Sequence, residues 1–217
     1  MTDISIEDLS ARIDALTAGD DRRILGLTGA PGSGKSTLAQ QIVEHVADRS
    51  VLVPMDGFHL ANVELARLGR SARKGAEDTF DSAGYVALLR RLRDQRAGEI
   101  VYAPEFRREI EESIAGAIPV FAEHRLIVTE GNYLLLDTGC WIDIRPLVDE
   151  IWYIDLDPQL RLERLVARHI RYGREERAAR EWVARTDEPN AVLIASTRAR
   201  ADLVIRVPAR ADSNGPA

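Results

Sequence analysis

Lysine is nearly missing from this chain of 217 residues: of its 29 basic residues only Lys35 and Lys74 are lysine, and the rest are arginine. Cysteine is scarcer still. With Cys140 alone, neither an internal disulfide nor a multi-cysteine metal site can form, and a reducing compartment, the cytoplasm by default, is expected. Aromatic residues make up 6% and do not interleave with basic ones, so Trp141, Trp152 and Trp182 read as packing rather than as a stacking surface for nucleic acid. No stretch approaches the roughly 18 apolar residues of a membrane span. Asp3, Glu7, Asp8 and Asp14 stand where a secretory leader would be basic, so neither a signal peptide nor a membrane helix is expected. Acids outnumber bases, 35 to 29, for a net charge of −6. A general attraction to nucleic acid or to an anionic membrane is therefore not expected, and any anionic ligand must be held by a local site.

What is present is ordinary globular composition, 45% hydrophobic and 29% charged, on a length that fits one domain over residues 1–217. Ile4, Ile6, Leu9, Ile13 and Leu16 recur at near-helical spacing, with Ser5 and Asp8 placed to cap. The apolar run Ile24 to Thr28 then feeds a glycine-rich turn and a helix from Lys35 to about Ala47. Further strands are expected near Val51–Met55, Leu126–Thr129, Ile151–Asp155 and Leu203–Val207, with helices between them. That alternation predicts an α/β three-layer fold, a five-stranded parallel sheet with helices on both faces. Asp157-Pro158 marks a helix start, an N-cap followed by proline at the first helical position. Two segments fit poorly: 69–81, and 98–120, which reads as short strands around Pro104 and Pro119. The tail, 209–217, reads as frayed.

Gly29-Ala30-Pro31-Gly32-Ser33-Gly34-Lys35-Ser36-Thr37 matches the phosphate-binding pattern G-x-x-x-x-G-K-[ST], between a predicted strand and a predicted helix as that pattern requires. The glycines let backbone N–H groups face the phosphates, and the helix N-terminus adds partial positive charge. Lys35 supplies a point charge for the β- and γ-phosphates, and the Ser36 hydroxyl is placed to ligate Mg²⁺. Asp56 follows the next strand. It can serve as the base for an attacking hydroxyl or merely cap a helix over 58–68, and its position fits both readings. Glu130, after the apolar run Leu126–Val128, would emerge beside the loop and could hold Mg²⁺ through water. Arg161, Arg164, Arg168, Arg171 and Arg174 recur at spacings of three or four, so several guanidinium groups can share a helix face; pairing with Glu163, Glu175, Glu176 and Glu181 on a solvated face is the plainer reading for most of them.

The motifs Gly29–Thr37, Met55-Asp56-Gly57-Phe58, Arg73-Lys74-Gly75, Thr79-Phe80-Asp81, Tyr102-Ala103-Pro104, Thr129-Glu130-Gly131-Asn132 and Thr197–Asp202 together resemble the pantothenate kinase and uridine kinase superfamily. Within it they are similar to small bacterial kinases labelled nucleoside/nucleotide kinases or fructose transport system kinases. The resemblance implies a P-loop fold and phosphoryl transfer from ATP, with Mg²⁺, to a hydroxyl of a small metabolite. It maps the family's base onto Asp56 and its acidic strand residue onto Glu130. It also implies a mobile lid, here 158–187, whose Arg168, with Arg171 or Arg174, meets the nucleotide; Tyr172-Gly173-Arg174 departs from the Arg-Gly-Arg of the uridine kinases. Pantothenate kinases carry Tyr and His where this chain has Phe106 and Arg108, so a sugar such as fructose or a nucleoside such as uridine is favoured over pantothenate.

Substrate residues are then expected at Asp56, His59, Lys74, Arg108, Asn132 and Tyr133. Lys74 is singled out because a compact ammonium survives there in a chain that otherwise uses arginine. Rival readings are a nucleotide-dependent switch, which would leave Asp56 without a purpose, and nucleic-acid binding through the arginine-rich segment, which the net charge opposes. The oligomeric state, monomer or homodimer, stays open.

Overall fold

The computed structural model describes residues 6–207, with side chains from Leu9 onward; the cap expected at Ser5 with Asp8 and the tail at 209–217 lie outside the described residues. Helix α1 (Ile6–Thr17) leads to strand β1 (Arg23–Thr28), α2 (Lys35–Val46) and β2 (Ser50–Pro54). A short α3 (Asn62–Arg67) and α4 (Ser82–Arg93) precede a hairpin of β3 (Ile100–Arg107) and β4 (Glu112–Phe121), then β5 (Leu126–Glu130) and β6 (Glu150–Leu156). The chain continues through α5 (Pro158–Arg171), α6 (Glu176–Trp182), α7 (Glu188–Ala195) and β7 (Leu203–Val207).

Five strands form a parallel sheet in the order β2-β5-β1-β6-β7. The apolar runs of the sequence have a direct reason. Side chains alternate across a strand, and here both faces are covered: Ile24, Ile127, Ile151 and Tyr153 enter one core with Leu89, Leu92 and Trp141. Their neighbours Leu25, Leu27, Leu126, Val128 and Trp152 enter the other with Leu9, Ile13 and Ile42. A strand buried on both sides shows no polar alternation. The chain leaves β1 toward one edge and returns to place β6 on its other side, so the crevice of the topological switch opens at the carboxyl end of β1.

The predicted strand and helix positions hold within a residue or two, and Asp157 caps α5 as expected, accepting from Gln159 N and Leu160 N at 3.0 Å each. One expectation changes. The helix expected over 58–68 is replaced by a 3-10 turn (Met55–Phe58) and the short α3. The backbone of Phe58 to Leu60 is taken by tertiary pairing: Leu60 N donates to Thr79 O at 3.0 Å and Asp81 N to Phe58 O at 2.9 Å, with His59 bridged to Phe80. The strands expected around Pro104 and Pro119 are present and pair as one antiparallel hairpin, with its register shifted between Ala103 and Glu105. Pro104, which has no N–H to donate, sits at that irregularity.

Candidate active site

Residues 29–34 turn from β1 into α2 around two steric constraints. Gly29 has φ +149°, and a Cβ there would stand 2.6 Å from the Ile154 carbonyl oxygen on β6. Gly34, in the left-handed region at φ 96°, stands at the N-cap of α2. Lys35, the first residue of that helix, is 7% exposed, and its Nζ donates to the carbonyls of Gly29 at 2.9 Å and Ala30 at 3.1 Å. Burial lowers its pKa to about 8, against the pull of Glu130 and Asp56. Ser33 Oγ is buried without a hydrogen-bond partner among the described residues. A buried hydroxyl left unpaired in a glycine-rich loop at a helix N-terminus is chemically suited to a phosphate oxygen.

Beside the loop, Ser36 Oγ donates to Glu130 Oε1 at 3.0 Å. Glu130 ends β5 opposite Leu27 of β1 and Pro54 of β2, so the strand register delivers it to the loop. Its pKa is raised, first by burial and next by the neighbouring Asp56, with Lys35 and the Ser36 hydrogen bond opposing. A hydroxyl and a carboxylate are hard oxygen donors that suit Mg²⁺, an ion that keeps several waters and needs few protein ligands. The residues present therefore fit the metal that the loop implies. No group of three or more His, Cys, Asp or Glu side chains forms a metal cluster among the described residues.

Asp56 lies in the 3-10 turn after β2 and does not cap α3, whose N-cap is Ala61. Its Oδ2 instead faces Arg108 Nη2 at 3.3 Å. Arg108 is brought there by the hairpin, which is pressed against the turn: a Cβ on Gly57 would stand 2.3 Å from the Pro104 carbonyl oxygen. His59 folds back on Asp56, with Nδ1 2.8 Å from the Asp56 carbonyl oxygen and therefore donating. Its ring packs between Phe80 (4.0 Å) and Phe106 (4.6 Å), and burial lowers its pKa.

A cleft of about 510 Å³ is lined by Lys35, Ser36, Asp56, Glu130 and Asn132 together with His59, Lys74, Phe106, Arg108, Arg168 and Arg174. A second, of about 760 Å³, opens across the loop against Leu38, Ile154, Arg164, Ile205 and Val207. Both are lined by Gly32, Lys35, Ser36, Arg108 and Arg168. The two cavities therefore meet at the phosphate loop.

Most of the residues anticipated from sequence line one or both cavities; Gly29 and Ala30 instead hold Lys35 Nζ from within the loop, and Tyr133 and Arg171 stand apart. Tyr133 is fully buried, and its hydroxyl donates to the Gly75 carbonyl at 2.5 Å; it anchors the segment carrying Lys74 and does not line the cleft. Arg171, exposed at the end of α5, lines neither cavity. The arginine-rich segment divides. Arg161 is buried against Glu188, Arg177 and Arg180 pair with Glu181 and Glu176 on the surface, and Arg174 stacks 4.0 Å over the Trp182 ring. Arg168 faces both cavities, its pKa lowered by burial and then by Arg108.

Sequence reasoning missed Asn62 and the placement of Trp182 on the cleft wall, while Asn190, in the segment Asp187-Glu188-Pro189-Asn190 that reads equally as a helix cap or a ligand, does line the cleft. Trp141 and Trp152 are core residues as expected. A π-helical turn (Val183–Asp187) follows Trp182, and no residue pattern announces such a turn.

The sequence profile of the "Phosphoribulokinase / Uridine kinase family" matches residues 24–213. The chain is 32% identical over 213 residues to "Putative uridine kinase C227.14" of Schizosaccharomyces pombe, covering 93% of this chain and 90% of that protein. It is 34% identical over 193 residues to "Uncharacterized protein YggC" of Escherichia coli, covering 86% and 78%. Among solved structures, a "putative fructose transport system kinase from Silicibacter sp. TM1040" superposes with a TM-score of 0.80 at 36% identity, covering 90% of this chain and 98% of that one.

Proposed function

The chain belongs to the phosphoribulokinase/uridine kinase family and is a P-loop phosphotransferase acting on a small metabolite; from that premise we propose that it moves the γ-phosphoryl of Mg·ATP to a hydroxyl of a polyhydroxylated acceptor, a sugar or nucleoside in kind. The observation that carries the reading is the meeting of two cavities at one phosphate loop, with Asp56 in the cleft that also holds Glu130 and Arg108.

On this reading the nucleotide base occupies the more apolar cavity beside Leu38, Ile205 and Val207, and its phosphates run over residues 29–37 to the junction. Lys35 exchanges its loop carbonyls for phosphate oxygens, and Ser33 Oγ gains a partner. Ser36 and Glu130 would hold Mg²⁺, which neutralises phosphate charge when bound. Asp56 takes the proton of the acceptor hydroxyl as that oxygen bonds to the γ-phosphorus, and the bond from phosphorus to the β-bridging oxygen breaks to release ADP. Arg168, on the helix that would serve as the lid, stabilises charge on the transferring group.

The test is ADP release with and without hydroxylated acceptors. Acceptor-dependent turnover is expected, and Asp56→Asn is expected to lower kcat by roughly 100-fold or more while Mg·ATP still binds. Full activity in that variant would remove Asp56 as the base, and a protein that bound no Mg·ATP would remove the whole reading.

A further inference from the structure

The charge around Asp56 is out of keeping with the rest of the molecule. Most arginines elsewhere are paired with carboxylates, as Arg12 is with Glu150, Arg93 with Asp149 and Arg145 with Asp202. In the 510 Å³ cleft three cations have no carboxylate within salt-bridge distance among the described residues: Lys74, Arg168 and Arg174. Arg168 also faces the nucleotide cavity, so the γ-phosphate accounts for it. Lys74 lines only the acceptor cleft. Its Nζ donates to Asn62 Oδ1 at 2.7 Å and to the Glu111 carbonyl, which leaves the third ammonium N–H unused.

Arg108 stands close by on the hairpin. Lys74 Nζ is 5.1 Å and the Arg108 guanidinium carbon 5.9 Å from the centroid of the same Phe106 ring. Both cations thus border one ring, and both bear on His59, whose charged form is disfavoured first by burial. Arg108 meets Asp56 only at 3.3 Å, with side chains 40% and 31% exposed. A pair so solvated is weak, so Arg108 can exchange it for a ligand. Glu111 and Glu112 also act on Lys74, yet neither is within salt-bridge distance of it. In a chain of net charge −6, two cations bordering one ring and open to a cleft make a site for negative charge, whereas a neutral polyol would gain little from them.

We infer that the acceptor carries an anionic group, a carboxylate or a phosphate, bound by Lys74 and Arg108 beside Phe106. The inference rests on the kinase reading but revises its acceptor: a hydroxy acid or a phosphorylated polyhydroxy compound stands in place of an uncharged sugar or nucleoside, and the uncharged compounds are poor substrates. The anion seats at the hairpin end of the cleft, leaving a hydroxyl of the same molecule to face Asp56. Each charge-assisted contact to the anion contributes roughly 10- to 100-fold in affinity.

The scarcity of lysine makes the test direct, because Lys35 and Lys74 are the only lysine targets. The intact protein is saturated with Mg·ADP, confirmed by calorimetry, and the rate of amine labelling at Lys74 is followed by peptide mass spectrometry. The probes are two matched pairs: glycerate against glycerol, and fructose 6-phosphate against fructose, the neutral member at ten times the concentration. At least one anionic probe is expected to slow Lys74 labelling fivefold or more while its neutral counterpart has no effect, and the pair that responds tells carboxylate from phosphate. Arg108→Gln is expected to raise the half-protecting concentration about tenfold. Equal labelling with all four probes, or equal protection by a neutral partner, overturns the inference and leaves the kinase reading standing; unchanged protection in Arg108→Gln overturns the two-cation site. Failure to bind Mg·ADP in the calorimeter would instead strike the kinase reading itself.

Discussion

Lys35 sits where a phosphate site and a stable fold make opposite demands, and replacing it with methionine should separate them. The ammonium is 7% exposed, and burial moves its pKa from 10.5 to about 8. At 1.36 kcal/mol per pKa unit, keeping the charge buried costs the nucleotide-free protein about 3 kcal/mol at pH 7. Methionine has a similar length and no charge. It gives up the two hydrogen bonds to Gly29 O and Ala30 O, a loss of about 1 kcal/mol each that water entering the cleft partly makes good.

Lys35→Met is therefore expected to stabilise the protein without nucleotide by roughly 1–3 kcal/mol at pH 7, or about 2–4 °C in Tm for each kcal/mol at this size. The pH dependence follows from the order of deprotonation. The folded protein releases this proton near pH 8 and the unfolded chain near 10.5, so in that interval the unfolded state binds more protons and stability rises with pH. The difference between variant and wild type should be constant below pH 8 and shrink from pH 8 toward 10. Urea denaturation of both proteins at pH 7, 8, 9 and 10 measures it. Mg·ATP should invert the ranking, because only the wild type gains ligand stabilisation. A variant less stable than wild type at pH 7, or a difference that ignores pH, would refute the reasoning.

Three other perturbations probe separate parts of the site. Glu130→Gln should raise the Mg²⁺ concentration needed for half-maximal nucleotide binding; in the wild type that requirement should rise on acidification, since the raised pKa of Glu130 protonates it sooner than an ordinary carboxylate, and a magnesium titration at two pH values checks both. Arg168→Lys should lower kcat by about 100-fold with little change in the nucleotide Kd, as expected for a guanidinium acting on transition-state charge; a purely proportional rise in the ATP KM would place it in ground-state binding. Gly57→Ala would bring a Cβ to 2.3 Å from the Pro104 carbonyl and should push the hairpin off the turn, raising the acceptor KM more than the ATP KM in steady-state kinetics.

The parts of the molecule legible in the sequence are those fixed within a few residues of chain. The phosphate loop, the Asp157 cap and the five buried strands each rest on local chemistry, and each is where the pattern puts it. Asp56 marks the limit. Its place after β2 is local, but whether it caps a helix depends on Phe58 to Leu60 pairing with Thr79 to Asp81 some twenty residues on, and no local propensity encodes that contest. Tyr133 was placed on the right strand end, yet its hydroxyl turns to Gly75 because a partner for it comes from a distant loop. Asn190 lines the cleft just beyond the π-helical turn at 183–187, which breaks the 3.6-residue period on which a face assignment depends.

The arginine excess obeys the same division. Where a cation works on the surface, as Arg177 and Arg180 do with Glu181 and Glu176, only charge is needed and arginine serves. Beneath the phosphate loop the group must fit between carbonyls at 2.9 and 3.1 Å in a space 7% exposed. A planar guanidinium is too broad for that space and a compact ammonium is not. Lys74, which donates to an amide oxygen and a carbonyl beside an aromatic ring, stands instead on the open wall of the cleft. Rarity in composition thus points to two positions, and at Lys35 shape as well as charge constrains the cation.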